Sequence, residues 1–229
     1  MKLYLIRHGS PDYANDTITD EGHREASLLA EKLKNFGFDR IVVSPLGRAQ
    51  HTAEYLGKSN SQDLITLNFL SELAGNYKDD LYAWGMHGTE VFAEHDEMTV
   101  AKWPERVEYG DHMKKVFAEF TGSLDEFLSE FGLTREGPLY KVDESDYKEH
   151  KEKKVAVVCH AGVIMTALSH FLNVPLPIIY SQFWIDPSSL TTLKLEYKNG
   201  KGLFRMTSMN DMGHVHGAGS SDTSKVAQT

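Results

Sequence analysis

Cysteine is almost absent from this sequence. The 229 residues include one cysteine, Cys159, which excludes an internal disulfide framework and a zinc site built from several cysteines. The chemistry of the chain must therefore come from other residue types. Cys159 itself lies in an apolar run and is expected to be a small core residue.

Cationic residues are also in the minority. Lys and Arg total 24 against 33 Asp and Glu, so the formal net charge is −9. A field of that sign repels phosphate backbones and anionic lipid, so neither nucleic acid nor a membrane is expected as a partner. A small anionic ligand remains compatible with an acidic protein, because a local cluster of Arg and His can hold a phosphate.

Long apolar runs are missing as well. Residues 1–6 form a short apolar run, which Arg7 and His8 interrupt before a signal-peptide core or a membrane span could form. We therefore expect a cytoplasmic protein. The hydrophobic share of 41% and the charged share of 25% are typical of a globular chain.

The length and texture of the chain predict one elaborated domain. We expect a single domain over residues 1–216 and a flexible tail over 217–229, which is small and polar. Within the domain we expect a cap inserted at about 77–110 and a charged, solvent-exposed excursion at about 134–154.

The order of the predicted elements favours an α/β fold. Apolar runs at 2–6, 40–44 and 155–159 are typical of buried strands. A helix capped by Thr19 follows the first run, and Ser44-Pro45 predicts a second helix with Ser44 as its N-cap. This alternation predicts a three-layer α/β/α sandwich with a mainly parallel sheet and helices on both faces.

The rest of the chain adds a long helix and an edge hairpin to this prediction. Helical periodicity runs through residues 111–131. The segments 190–197 and 203–207 flank an Asn-Gly-Lys-Gly turn, which predicts antiparallel strands at one edge of the sheet.

Histidines follow two of the predicted strands directly. His8 comes after the first strand and His160 after the strand that ends at Cys159. Because ligands of parallel sheets bind outside the carboxyl ends of the strands, both imidazoles are expected in one crevice. Arg7 lies beside His8, and Arg48 lies one turn into the predicted second helix. Two Arg and two His brought together in this way predict a phosphate pocket.

These residues belong to a set of motifs that resembles the histidine phosphatase superfamily, also called phosphoglycerate mutase-like. The motifs occur in the family's order and are LIRHG at 5–9, ITDEG at 18–22, SPLGRAQHTA at 44–53, LSE at 70–72 and VCHAG at 158–162. The sequence NDMGH at 210–214 is similar to the ending of the branch that contains broad-specificity and α-ribazole-type phosphatases.

The resemblance implies hydrolysis of a small phosphomonoester through a phosphohistidine. His8 would be the nucleophile, and Glu72 would be the general acid that protonates the leaving oxygen. The phosphoryl oxygens would be held by His160 and by four further candidates, Arg7, Arg48, Asn15 and Ala161. The resemblance implies no metal and no cofactor, and it is compatible with a monomer or a homodimer.

Several alternatives stay open at this point. Asp12, Glu90 and Glu94 are other candidates for the acid. The resemblance implies that the glycolytic mutase branch carries an insertion whose Lys and Arg residues bind the carboxylate and the second phosphate of the substrate. This chain offers Lys78, Lys102 and Arg106 in that region, which do not make a convincing equivalent, so a phosphatase is favoured over a phosphoglycerate mutase. A non-catalytic phosphate- or phosphopeptide-binding module and a metallohydrolase that uses the scattered histidines His87, His95, His112, His214 and His216 are further alternatives.

Aromatic residues of the predicted cap suggest what the leaving group is. We expect it to be organic and to contact the aromatic side chains of the cap, namely Tyr77, Tyr82, Trp84 and Trp103.

Overall fold

A computed structural model describes residues 1–73, 87–93, 98–105 and 110–217 of the chain. The strands are β1 (Lys2–Arg7), β2 (Pro11–Asp12), β3 (Thr17–Ile18), β4 (Arg40–Val43), β5 (Leu64–Thr66), β6 (Leu133–Glu136), β7 (Leu139–Val142), β8 (Lys154–Cys159), β9 (Leu190–Lys198) and β10 (Lys201–Asp211). The helices are α1 (Asp20–Lys32), α2 (Gly47–Asn60), α3 (Gly88–Val91), α4 (Gly110–Ser129), α5 (Glu144–His150), α6 (Ala161–Leu172), α7 (Leu176–Gln182) and α8 (Gly213–His216).

Four strands make the parallel half of the central sheet, in the order β5-β4-β8-β1. Val157 of β8 lies between Leu5 of β1 and Val42 of β4. Three of these strands, β1, β4 and β8, are almost continuously apolar because both of their faces are covered, as is usual for parallel sheets. Ile65 and Thr66 of the edge strand β5 are exposed. All three runs that the sequence assigned to buried strands lie here.

The other half of the sheet is antiparallel and is larger than the edge hairpin predicted from the sequence. β9 pairs with β1, and β10, β7 and β6 follow in that order. The strands β6 and β7 come from the segment 134–154 and its border, which was expected to be an exposed excursion. Within this segment α5 has no buried residue, whereas Tyr140 and Val142 of β7 are buried in the core. Because this segment is rich in charged residues, the alternation of its buried residues Tyr140 and Val142 is not evident from the sequence.

Helices cover both faces of the sheet, which confirms the three-layer arrangement. Side chains of a strand alternate between faces, so Leu5 of β1 packs with α4 and α6, whereas Ile6 packs with α1 and α2. The predicted long helix at 111–131 is α4. Within the described residues, no helix is both long enough and apolar enough to cross a membrane.

One predicted helix start is confirmed and the other is wrong. The Thr19 side chain accepts a hydrogen bond from the Gly22 amide and caps α1, as expected. The second helix was expected to begin at Ser44-Pro45, but α2 begins at Gly47 with Leu46 at the N-cap position. Ser44 is fully buried, and its hydroxyl contacts His160 and also accepts from the Leu46 amide at 3.3 Å, just ahead of α2.

Only parts of the predicted cap can be described. α3 and a 3-10 turn at Trp103–Glu105 lie within the described residues. α3 contacts α7. The remainder of the cap at 77–86, 94–97 and 106–109 lies outside the described residues, as does the predicted tail after Gly217.

Candidate active site

His8 lies at the carboxyl end of β1 and is buried. Its backbone is held on two sides, because its amide donates to the Cys159 carbonyl at 2.9 Å and its carbonyl accepts from the Ser188 amide at 3.0 Å. Nδ1 of the ring is 2.7 Å from the Gly9 carbonyl, which can only accept a hydrogen bond. In the neutral ring this contact places the proton on Nδ1 and leaves the lone pair on Nε2.

His160 faces His8 from the end of β8. The two ring centroids are 5.2 Å apart. Nε2 of His160 lies 2.7 Å from the Ser44 hydroxyl. Its Nδ1 is buried and has no hydrogen-bond partner within the described part of the chain. A buried polar atom of this kind is rare in a folded protein, so it marks a position where a ligand atom would bind.

Two arginines complete the cluster. Nη1 of Arg7 donates to the Ile185 carbonyl at 2.5 Å, and Nη1 of Arg48 donates to the Asp16 carboxylate at 2.7 Å. Nε of each guanidinium is buried without a partner among the described residues. Both arginines therefore keep donor groups free beside the two histidines, as anion binding requires.

Burial and the arginines keep both imidazoles neutral. Burial, with smaller contributions from the charges of Arg7 and Arg48, lowers the pKa of His8 to about 3. Burial likewise lowers the pKa of His160 to about 2, with contributions from His8 and the same two arginines. At neutral pH the Nε2 lone pair of His8 is therefore available for attack on an electrophile.

Glu72 lines a cleft of about 210 Å³, which it shares with Arg7 of this cluster. Its Oε1 accepts from the Leu73 amide at 3.1 Å. Burial raises the pKa of Glu72, and this effect exceeds the lowering caused by Leu73, Arg48 and Arg7. A carboxyl group with a raised pKa can hold a proton and donate it, as a general acid must.

The turn that presents Arg48 depends on a close backbone contact. Asp16 has a positive φ of 46° and accepts from both the Gly47 amide and Arg48. A Cβ on Gly47 would lie 2.2 Å from the Asp16 carbonyl oxygen, so only glycine fits this position without a shift. Sequence reasoning missed Asp16, since an acidic residue in a polar turn gives no signal of its own.

The loop of residues 184–189 holds Arg7 and His8. Its Ile185 carbonyl accepts from the Arg7 guanidinium, and its Ser188 amide donates to the His8 carbonyl. Asp186 is held by Asn210, whose amide donates to the carboxylate at 2.7 Å and whose carbonyl oxygen accepts from the Asp186 amide at 2.7 Å. The Ser188 hydroxyl lies 3.1 Å from Nε2 of His214. The motif NDMGH at 210–214 thus contacts the loop that carries the Ile185 carbonyl, rather than the phosphate site.

Of the other predicted site residues and alternative acids that the structure describes, only Ala161 lines the cleft. Ala161 lies at the start of α6. Asn15 is exposed, and its amide donates to Asp12 at 2.8 Å, so its phosphate contact stays a prediction. Of the alternative acids, Asp12 accepts from the 14–15 turn, Glu90 is exposed on α3, and Glu94 lies outside the described residues.

The aromatic residues that line the cleft are not the predicted ones. Trp103 is only 1% exposed and packs edge-on against Phe117 at 5.1 Å, so its expected contact with a leaving group is wrong. Its apolar surface is buried against other residues of the hydrophobic core. Tyr77, Tyr82 and Trp84 lie outside the described residues. Tyr13 and Trp184 line the cleft instead.

The described residues contain no group of three or more His, Cys, Asp or Glu side chains placed to hold a metal ion. Cys159 is fully buried, and burial raises the pKa of its thiol, so it is the core residue that the sequence predicted.

Comparisons with known proteins point to one family. The model of the histidine phosphatase superfamily (branch 1) matches residues 3–136 and 140–211. A probable phosphatase of Schizosaccharomyces pombe is 24% identical over 228 residues, which cover 94% of this chain and 91% of the relative. The probable phosphoglycerate mutase GpmB of Cronobacter sakazakii is 27% identical over 142 residues, which cover 56% of this chain and 63% of the relative.

A solved structure shows a similar fold. The phosphoserine phosphatase of Entamoeba histolytica, a mutant in complex with phosphoserine, superposes with a TM-score of 0.62 at 19% identity. The match covers 93% of this chain and 98% of that one. At this identity the likeness shows a shared fold.

Proposed function

Because the chain belongs to branch 1 of the histidine phosphatase superfamily, we propose that it hydrolyses phosphate monoesters through a phosphohistidine at His8. The observation that carries the proposal is the state of His8. Its Nδ1 is hydrogen bonded to a carbonyl, its Nε2 keeps the lone pair, and its pKa is about 3. A neutral imidazole beside two arginines is a nucleophile aimed at an anionic phosphoryl group.

In the first step, Nε2 of His8 attacks phosphorus and the bond from phosphorus to the ester oxygen breaks. The electron pair of that bond goes to the leaving oxygen, which takes a proton from Glu72. Arg7, Arg48 and Nδ1 of His160 lie where they can bind the three non-bridging oxygens during the transfer. The proton of His8 remains on Nδ1, where the Gly9 carbonyl stabilises the imidazolium that forms.

In the second step, water attacks phosphorus and the bond from phosphorus to Nε2 breaks. Glu72, now a carboxylate, accepts a proton from the attacking water, and inorganic phosphate leaves. The second step restores neutral His8 and protonated Glu72. The cycle balances without a redox partner, and we propose that it requires no metal.

Two observations favour a phosphatase over a mutase. Among the described residues that line the cleft, Arg7 is the only cation, so a second anionic group of a substrate has no partner there. In addition, the chain aligns with the phosphatase of Schizosaccharomyces pombe over 94% of its length but with the GpmB mutase over 56%.

A trapping experiment tests this proposal. Wild type, His8→Ala and the control His112→Ala, in which an exposed histidine of α4 is removed, are incubated with a labelled phosphomonoester in the presence of a chelator and quenched rapidly. We expect an acid-labile, alkali-stable protein phosphate on wild type and on His112→Ala, and none on His8→Ala. Turnover by His8→Ala at the wild-type rate would overturn the proposal. Binding of phosphate without turnover of any ester would identify a binding module instead.

A further inference from the structure

The cleft that contains Arg7 and Glu72 is charged at these two residues and mainly apolar elsewhere. Arg7 and Glu72 are the only charged members of its described lining, and the proposed reaction uses both. The walls are formed by Tyr13, Met165, Tyr180, Phe183, Trp184 and Ile185. A ligand that fills the cleft therefore meets charged groups at its phosphate end and mainly carbon atoms elsewhere.

Trp184 is held in place although most of its surface is exposed. Trp184 is 66% exposed, and its Nε1 donates to the Asp186 carboxylate at 2.9 Å. Asp186 is in turn fixed by two hydrogen bonds with Asn210. The indole is thus oriented before a ligand binds. Covering its exposed apolar face with a ligand would contribute favourable free energy to binding.

Tyr13 is the second exposed aromatic residue of the cleft, at 67% exposure. The guanidinium carbon of Arg48 lies 5.5 Å from the centre of its ring. This contact places the phenol next to one of the arginines that would hold the phosphate. A group bonded to that phosphate therefore lies within reach of the Tyr13 ring.

We propose that Tyr13 and Trp184 form a leaving-group subsite that selects phosphate monoesters of alcohols carrying an aromatic ring, an inference that rests on the proposed phosphatase function. The ring would cover the exposed aromatic side chains and displace water from them. An anionic leaving group such as a sugar acid would instead bring its carboxylate against apolar walls, and Arg7 is already engaged by the phosphate.

Paired ligands that differ by one phenyl ring test the subsite. The substrates are 2-phenylethyl phosphate and ethyl phosphate, which share the same primary alkyl ester chemistry, and 3-phosphoglycerate serves as the anionic comparison. We expect wild type to prefer the phenyl ester in kcat/KM by about tenfold or more, since burying a ring contributes at least that much. Trp184→Ala and Tyr13→Ala should each reduce this preference by about threefold or more, and Trp184→Phe should restore part of it.

The control is Leu203→Ala, which removes another exposed apolar side chain, on β10 and outside the cleft lining. It should keep the wild-type preference. A preference that is near one in wild type, that survives both Trp184→Ala and Tyr13→Ala, or that favours 3-phosphoglycerate would overturn the subsite.

Binding measurements separate this inference from the proposed function. Calorimetric Kd values for 2-phenylethylphosphonate and ethylphosphonate, which cannot be hydrolysed, report the subsite without any turnover. If the phenyl ligand binds about tenfold tighter and Trp184→Ala removes the difference, the subsite stands even if hydrolysis fails. If hydrolysis depends on His8 but the two phosphonates bind equally, the phosphatase stands and the subsite falls.

Discussion

Burial does more than any single hydrogen bond to set the chemistry of the individual site residues. It lowers the pKa of His8 to about 3 and raises the pKa of Glu72, so the proposed nucleophile is neutral and the proposed acid is favoured in its protonated form. The two groups are pushed in opposite directions by the same cause, because burial penalises whichever form is charged. Arg7 and Arg48 add to the shift of His8 and oppose that of Glu72.

Replacing Glu72 tests the acid. Glu72→Gln should reduce kcat for ethyl phosphate by about 100-fold or more and reduce it much less for 4-nitrophenyl phosphate, whose leaving group needs no proton. Because the acid must be protonated, wild-type turnover of ethyl phosphate should fall as pH rises through the raised pKa of Glu72, and the variant should lack this limb. The control is Glu90→Gln, on the exposed side of α3. Equal losses on both esters would remove Glu72 from the role.

At the scale of the elements, the site depends on where strands end and where one helix begins. β1 and β8 are neighbouring parallel strands, so His8 and His160 follow their ends at the same edge of the sheet. α2 begins at Gly47, two residues later than predicted, which places Arg48 second in the helix. The contact between Gly47 and Asp16 sets this start.

A methyl group at Gly47 should therefore move Arg48. We expect Gly47→Ala to lower the free energy of unfolding by about 1–3 kcal/mol, because its Cβ overlaps the Asp16 carbonyl, and to raise KM. The matched control is Gly122→Ala in α4, where a Cβ would meet nothing within 4 Å. That change should stabilise the protein by about 0.5–1 kcal/mol, since alanine favours a helix. Chemical unfolding and steady-state kinetics measure both variants, and wild-type KM in Gly47→Ala would contradict the account.

At the scale of the whole molecule, buried histidines make stability depend on pH. The pKa values of His8, His160 and His214 are lowered to about 3, about 2 and about 4 by burial. The unfolded chain therefore binds more protons than the folded one below about pH 6.5, the ordinary pKa of histidine. Their contribution is complete above that pH and is lost as pH falls. Glu25 and Glu72, whose pKa values are raised, act with the opposite sign.

His214 offers a way to measure this effect at a histidine other than His8 and His160. The free energy of unfolding should fall as pH drops from 7 to 5, and each buried histidine contributes a slope of up to about 1.4 kcal/mol per pH unit. His214→Gln should flatten the curve by one such contribution, whatever its effect at pH 7. The control His216→Gln, at an exposed position of α8, should leave the slope as it is. Urea unfolding at several pH values gives both slopes, and identical slopes for wild type and His214→Gln would contradict the expectation.

Local sequence determined much of this protein. Apolar runs predicted the parallel strands, and a polar residue after each run predicted that His8 and His160 meet, because the period and direction of a strand are local properties. The contacts of Ser44 with His160 and of Asp16 with Arg48 span 116 and 32 residues, and no local pattern reports such pairings. Only the tertiary structure decided that Trp103 enters the core while Trp184 faces the cleft. Trp103 begins a short 3-10 turn and Trp184 lies in a loop, so local structure does not separate them, and what differs is the set of elements that the fold packs around each.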